Sequence, residues 1–549
     1  MSDALLGVQG LTIGFGGRDT VKDVSFELAR GHCLGIIGES GAGKTQIFLG
    51  LMGLLPPTAR VSGRAQLGDT PLLGAGAVAV RGRRAAMIFQ DPMTALTPHL
   101  IVGDQVAEPR VVHRGRRWSE ARADAVSLLE QVGIAEAARR ARQYPHELSG
   151  GMRQRVTIAM ALAGEPELLI ADEPTTALDV SVQAGILALL RRLVLERSMA
   201  LAVVTHDMGV ISALADDVLV MKQGEIVERG DVNSILSNPR HEYTRALLAA
   251  TPRLDEPLPP VVPAPAADPT PPLVANHVHV RYPIPRGLFR RDAEFHAVDD
   301  VSLSLAPGEA LGIVGESGSG KSSLARALLA LDGAIEGEVV WLGRAVHDLH
   351  GEELRRLRDR AQIVFQDPFA SLDPVMSVAD IVAEPLRALR PSMSAGERDE
   401  RVATLLAGVG LDAAHAARRS RELSGGQNQR VAIARAMALA PKLLVCDEAV
   451  SALDVSIQAQ VLDLLGRIRR EQGTSLLFVS HNLAVVRRLC DRVAVMYQGR
   501  VVESGPVAQV FAAPAHPYTR RLLDSVPRLD PATERARLAA LPDAESARA

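Results

Sequence analysis

Two glycine-rich stretches of this chain have the residue types and spacing to hold a polyphosphate. Gly38 to Thr45 reads GESGAGKT, and Gly315 to Ser322 reads GESGSGKS. A short apolar run (CLGIIG, ALGIVG) enters each loop and a helical stretch leaves it. Glycines at Gly38, Gly41 and Gly43, and at Gly315, Gly318 and Gly320, let backbone N–H groups turn toward phosphate oxygens at a helix N-terminus, where the dipole also favours anions. Lys44 and Lys321 are expected to reach the β- and γ-phosphates, and Thr45 and Ser322 to ligate Mg²⁺. Ser40, Ser317 and Ser323 complete the expected nucleotide contacts. The bland alternative is a glycine-rich turn with a chance lysine, and two copies in the same context argue against it.

A second chemistry-bearing pair follows each loop. Asp172-Glu173 and Asp447-Glu448 each close an apolar run, LLIADEP and LLVCDEA. The aspartate suits the Mg²⁺ shell, and the glutamate is placed to orient or deprotonate an attacking water. Alone, such a pair is most often a solvated strand end. Downstream of a phosphate-binding loop it reads as the hydrolytic half of a nucleotide site.

These residues belong to a sequence that repeats itself. FQDP at Phe89 returns at Phe365, ELSGG at Glu147 at Glu422, TALDVS at Thr176 as SALDVS at Ser451, His206 as His481, and HEYTRALL at His241 as HPYTRRLL at His516. A repeat of about 275 residues is a duplicated domain and not a solenoid, whose periods run to tens of residues. Each copy needs elements that alternate strand and helix around its loop, which implies a parallel sheet. Strands are expected at ALAVVTH and SLLFVSH, a helical region from Val102 to Gln143 and from Val378 to Arg421, a helix starting just after each LSGG, another from Val182 or Ile457, and a short β pair around Lys222 to Glu228 or Gln498 to Glu503. The expected boundaries are residues 1–250 and 273–526 for the two domains, a proline-rich linker over 251–272, and a tail over 527–549 that forms a short helix or stays mobile. About 20 extended linker residues reach roughly 60 Å, enough to let two domains face one shared ligand.

Bulk properties exclude several classes. The net charge of −3 over 549 residues lacks the basic excess of a nucleic-acid binder. Three cysteines, with no CxxC, make neither a disulfide framework nor a sequence-local metal site, so a reducing compartment is expected. The start, MSDALLGVQG, has no signal-peptide pattern, and no apolar run reaches the roughly 20 residues of a membrane span. Any membrane role therefore calls for a partner that spans. Arginine runs at Arg139 to Arg142 and Arg286 to Arg291 read as solvated faces before they read as lipid contacts.

Taken in order, the phosphate loop, the glutamine of FQDP (Gln90, Gln366), LSGG, the aspartate–glutamate strand, Ala177-Leu178-Asp179 with Ala452-Leu453-Asp454, and the histidine resemble the ATPases of ABC transporters. The resemblance covers nearly the whole chain outside the linker and tail. It implies an α/β fold: two tandem P-loop NTPase domains, each a mainly parallel sheet core with an antiparallel β subdomain and a helical subdomain. It implies ATP and Mg²⁺ as ligands, with Gln90 and Gln366 joining Asp172, Asp447, Thr45 and Ser322 at the metal. Glu173 and Glu448 would be the catalytic carboxylates, with His206 and His481 at the γ-phosphate. Ser149, Gly150 and Gly151 would contact the nucleotide at Lys321, and Ser424, Gly425, Gly426 and Gln427 the one at Lys44. Phe15 and Tyr282 would stack on adenine, although an isolated aromatic is more often core. Met152 departs from the family's usual glutamine, which Gln427 keeps, and Ala449-Val450 replace Pro174-Thr175; neither removes a phosphate, metal or catalytic group.

LSGGMRQR and the HEYT and HPYT segments further resemble the ATPases of dipeptide and oligopeptide importers, a group that also serves nickel and glutathione. The bland reading of those segments is a helix start docked on the core. The resemblance implies two integral permease subunits, an extracytoplasmic solute-binding protein, no nucleic acid, and a peripheral place on the cytoplasmic face of the inner membrane. Relatives that bind an iron–sulfur cluster carry C-terminal cysteines; none follows His516 here, so no cluster is expected. Three rival readings compete with this one. A soluble twin ATPase on ribosomes or nucleic acid would favour a charged helical linker or zinc cysteines. An exporter ATPase is disfavoured by the paired histidine–tyrosine segments, and a regulatory module with dead sites by four intact acidic residues.

Overall fold

A computed structural model describes residues 4–176, 178–257, 270–284, 293–331, 335–451 and 453–541. Ala177, Ala452, most of the proline-rich segment and the Arg286 to Arg291 run lie outside the described residues. The chain divides into two compact units, Met1–Thr251 with Pro527–Ala549, and Pro252–Val526.

Each unit holds the same two sheets. In the first, six strands lie in the order Glu225–Asp231, Asp217–Lys222, Cys33–Ile37, Ala200–Thr205, Leu168–Asp172, Ala85–Ile88. All neighbours run parallel except the Glu225–Asp231 edge, which is antiparallel. The central strands CLGII, LLIAD and ALAVVT are buried at every position, as continuous apolar runs must be when helices cover both faces of a sheet. A four-stranded antiparallel sheet, Arg18–Ala29, Ala4–Phe15, Arg60–Leu67 and Thr70–Pro71, packs its apolar face into a core with the phosphate-loop helix. The helices Val102–Arg114 and Trp118–Gln131 pack with the helix Gly150–Ala163. The second unit repeats both strand orders.

Two expected helix starts shift. The helix after LSGG begins inside the motif, at Gly150 and Gly425, because Ser149 and Ser424 serve as N-caps and take up the backbone N–H of Met152 and Gln427. The helices expected from Val182 and Ile457 begin at Val180 and Val455, directly after Asp179 and Asp454 in extended backbone. Val180 and Val455 are themselves buried, so tertiary packing recruits the first turn.

The tail forms the helix Pro531–Ala539, with Asp530 capping Thr533 N and proline at the first position. It packs on Val180–Arg197 and Met208–Leu214 of the first unit, and Leu538 joins that unit's core. Glu534 is fully buried, paired with Arg537 and accepting from Arg528 N, while Arg535 pairs with Asp216 at 3.1 Å. The start of the expected linker is ordered within the second unit: Leu254 packs on its core and Arg487 donates to the Glu256 carbonyl at 2.9 Å.

Candidate functional site

The phosphate loop leaves the carboxyl end of Cys33–Ile37 and turns into the helix Lys44–Leu51. Ligands of open α/β sheets bind at this edge. Gly43, at φ 92°, lies so close to the neighbouring strand that a Cβ there would stand 2.5 Å from the Thr20 carbonyl oxygen; at Gly320, φ 102°, the same atom would stand 2.1 Å from that of Ala297. Around Gly41 and Gly318 a Cβ would meet nothing within 4 Å, so the outer side of each loop is open. Lys44 is buried, with Nζ donating to the carbonyls of Gly38 (2.6 Å) and Glu39 (2.9 Å). Lys321 does the same to Gly315 (2.8 Å) and Glu316 (2.9 Å).

The helix start meets the acidic strand end. Thr45 Oγ1 donates to Asp172 Oδ1 at 2.9 Å, and Ser322 Oγ to Asp447 Oδ1 at 2.9 Å. Burial pushes the Asp172 carboxyl up to about 6, against the pull of the Thr45 hydroxyl and Lys44; Asp447 is raised by the same cause. A hydroxyl and a carboxylate held side by side offer the hard oxygen donors that Mg²⁺ prefers, and the open loop beside them accepts phosphates. The residues thus fit Mg²⁺ and a nucleoside triphosphate.

Glu173 follows in the left-handed region, at φ 48°, and Glu448 at φ 47°. Strain of this kind, about 1–3 kcal/mol for a non-glycine residue, persists where surrounding contacts over-determine it. Here they do. Glu173 N donates to Val204 O at 2.8 Å, and its carboxylate receives Gln90 Nε2 (2.7 Å), Thr176 Oγ1 (3.0 Å) and His206 Nδ1 (3.0 Å). Glu448 N donates to Val479 O at 3.0 Å, and its carboxylate receives Gln366 Nε2 (2.8 Å) and His481 Nδ1 (3.4 Å). Burial works to raise both glutamates, but His206 with Thr176 and Lys44, and His481 with Lys321, outweigh it and hold them below the ordinary range. One carboxylate therefore gathers the glutamine of FQDP and the histidine at the end of the next strand. The Thr176 hydroxyl is a member of this site that no motif named, and its place three residues after Glu173 is the only sequence signal for it.

Other expected contacts lie outside this network. The Ser149 side chain bonds within its own helix, accepting Met152 N at 3.4 Å. Gly151 allows that helix to approach its neighbour, since a Cβ would stand 2.4 Å from Val182 Cγ1; Gly426 does so against Ile457. The Gln427 amide, expected at the nucleotide, accepts Ser424 N at 3.0 Å and sits 3.2 Å from His415 Nε2. Phe15 is half-buried against the core, and Tyr282 stands 36% exposed on the strand Leu273–Ile284, opposite Phe295. Among the described residues no group of three or more histidine, cysteine, aspartate or glutamate side chains could hold a metal on its own.

The chain is similar to known proteins along most of its length. The family described as ABC transporter matches residues 21–176 and 298–451, and that described as oligopeptide/dipeptide transporter, C-terminal region, matches 227–273 and 502–548. Glutathione import ATP-binding protein GsiA of Salmonella paratyphi A is 46% identical over 98% of this chain and 92% of its own length. Its counterpart in Escherichia coli K12 is 47% identical over 95% and 89%. Among solved structures, the ADP- and Pi-bound dimeric cassette MJ0796 aligns with 43% of this chain and 98% of its own at 31% identity, TM-score 0.39. With the phosphate loop, signature and acidic strand present twice in one order, this chain belongs to the ABC transporter family, as an ATP-hydrolysing, ATP-binding subunit of the importer group.

Proposed function

We propose that the chain drives uptake of glutathione and related peptide-like solutes through two permease subunits, fed by an extracytoplasmic binding protein. The observation that carries the ATPase half of this reading is the complete donor network around Glu173 and again around Glu448. Cargo class rests on the relatives, which are glutathione import proteins, and on the oligopeptide/dipeptide C-terminal region found in both halves. We place the chain peripherally on the cytoplasmic face, docked on permeases, because its relatives are ATP-binding proteins of an importer; among the described residues no helix is long and apolar enough to cross a membrane.

At each site, Lys44 or Lys321 leaves two loop carbonyls to bind the β- and γ-phosphates. Thr45, Asp172 and Gln90, and Ser322, Asp447 and Gln366, would hold Mg²⁺, which would supply charge neutralisation at the phosphates. Glu173 and Glu448 are ionised and acceptor-only, so each orients a water by taking its hydrogen. Water oxygen attacks the γ-phosphorus, the bond to the β-phosphate oxygen breaks, and the water proton passes toward the glutamate. Gln90, Thr176 and His206 donate to the Glu173 carboxylate, and its two oxygens, with about four acceptor sites, keep room for that water. His206 and His481 hold those carboxylates in place.

The test is uptake in a strain lacking the gene. Restored uptake of labelled glutathione by the wild-type chain, with failure by the Lys44→Ala, Lys321→Ala variant, is expected. Unimpaired glutathione uptake without the gene, alongside lost dipeptide or nickel uptake, would move the cargo assignment to those solutes.

A further inference from the structure

The histidine–tyrosine segments near the end of each half contact the phosphate loops. Glu39, the second residue of the first loop, donates its backbone N–H to the Tyr243 hydroxyl oxygen at 3.0 Å, across 204 residues of sequence. In the second half Glu316 N donates to Tyr518 Oη at 2.9 Å, across 202 residues. Both tyrosines are buried. The carbonyl of each glutamate accepts the loop lysine, Lys44 or Lys321, at 2.9 Å. It also accepts Ala42 N or Ser319 N at 3.1 Å. A single residue, Glu39 or Glu316, thus ties a tyrosine hydroxyl to the lysine that meets the phosphates.

Each tyrosine is aimed by the rest of its motif. His241 Nδ1 accepts Tyr243 N at 3.1 Å and so caps the helix Glu242–Ala250; His516 accepts Tyr518 N at 3.2 Å and caps Pro517–Ser525. Glu228, on the edge strand, grips the backbone N–H groups of Arg240 (2.6 Å) and His241 (3.1 Å), and Glu503 grips Ala515 (2.8 Å) and His516 (3.0 Å). The ring environments differ. Lys222 Nζ lies 4.9 Å from the Tyr243 ring centroid, whereas Tyr497 packs on Tyr518 with centroids 4.3 Å apart. Arg521 also lies over the Tyr518 ring, 5.9 Å from its centroid, so each ring carries a cation and the stacked Tyr497 is what differs, while both copies keep the hydroxyl's contact with the loop.

We propose that Tyr243 and Tyr518 are positioning residues of the ATP sites, bracing the phosphate loop so that Lys44 and Lys321 present their ammonium groups to nucleotide. The histidine is the cap that aims the brace. A part-buried loop N–H left without its acceptor seeks another, and the glutamate residue that holds the lysine shifts with it. The proposal rests on Lys44 and Lys321 being the nucleotide sites.

Tyrosine-to-phenylalanine variants keep the ring and remove the contact. In the full chain, Tyr243→Phe with Tyr518→Phe is expected to raise the KM for ATP about three- to tenfold, as loss of one modest hydrogen bond per site does. The Kd of a fluorescent ATP analogue should rise in parallel, with kcat within about twofold and melting temperature within about 2 °C. Single variants report each site if the double variant folds poorly. An unchanged KM and Kd would overturn the brace, and so would a KM change matched by an equal fall in kcat and stability. Lys44→Ala with Lys321→Ala, run beside them, should lose analogue binding; retained binding there would overturn the site assignment instead.

Discussion

The two halves are built on one template, and they grip their catalytic-strand glutamates unequally. Glu173 receives three side-chain donors, with His206 at 3.0 Å; Glu448 receives two, with His481 at 3.4 Å. The cause is one methyl-bearing residue. Thr176 turns its hydroxyl to the Glu173 carboxylate, whereas Ser451 turns its own to the Glu448 backbone carbonyl at 3.0 Å. The signature helices differ the other way. Gln427 closes a reciprocal cap with Ser424, and Met152 cannot. The two halves share the groups proposed to meet nucleotide and differ in their supports, so asymmetry here is in how tightly parts are held.

The largest test of that comparison removes the carboxylates. Glu173→Gln with Glu448→Gln is expected to lower ATP turnover about 10²–10⁴-fold while ATP binding persists. The single variants carry the comparison: Glu448, with fewer donors drawing on its charge, should be the stronger base, so Glu448→Gln should cost more turnover than Glu173→Gln. Steady-state hydrolysis by the three purified proteins decides it, and equal single losses would show that donor count does not set the rate.

A smaller effect concerns Asp172. Its carboxyl is raised by burial, so the fold favours its protonated form, and the stability this gives is lost as pH rises from the ordinary value of 3.8 through about 6. At pH 8 the charged group is therefore a burden on the nucleotide-free protein. Asp172→Asn keeps the Thr45 acceptor and removes the charge. It should stabilise the nucleotide-free chain by about 1–3 kcal/mol at pH 8, a gain that fades below pH 4, while hydrolysis falls. Asp447→Asn should act in the same direction. Denaturant melts across pH check both, and a destabilised Asp172→Asn protein at pH 8 would show that the carboxylate is better satisfied than its burial indicates.

What was legible in the sequence were the groups whose chemistry fixes their spacing. The loop glycines, Lys44, Thr45 and the Asp172-Glu173 strand end are forced by backbone geometry and metal coordination within a few residues, and the repeat doubles the signal. The supports were not legible, because they act across long separations or through rules weaker than a motif. Tyr243 reaches Glu39 only after the sheet brings the end of the domain back to its start. For the tail, composition left a short helix and a mobile end both open; what settles the helix are its anchors, Leu529 and Leu538, together with Glu534, a fully buried carboxylate of a kind almost never found inside unless paired. Arg537 is that partner. The helix starts at Gly150 and Val180 were misplaced by a residue or two because capping and burial set boundaries that periodicity does not.

The smallest effect tests the other side of the asymmetry. In the second half Gln427 Oε1 accepts Ser424 N at 3.0 Å while Ser424 Oγ accepts Gln427 N at 3.3 Å, so two otherwise unpaired N–H groups at the helix start are satisfied. In the first half only the Ser149 side of the cap exists, at 3.4 Å, and the Met152 side chain packs partly buried against the core instead. Gln427→Met should therefore lower the stability of its half by about 0.5–1 kcal/mol, the range for loss of one capping contact. Met152→Gln gains the cap and gives up apolar contact, two terms of similar size, so its net effect should stay within about 0.5 kcal/mol. Unequal responses to reciprocal substitutions are the expected sign that the first half replaced a cap with packing. Thermal melts of the two variants measure it, and a Met152→Gln gain as large as the Gln427→Met loss would mean that Met152 contributes no packing and its cap was simply lost.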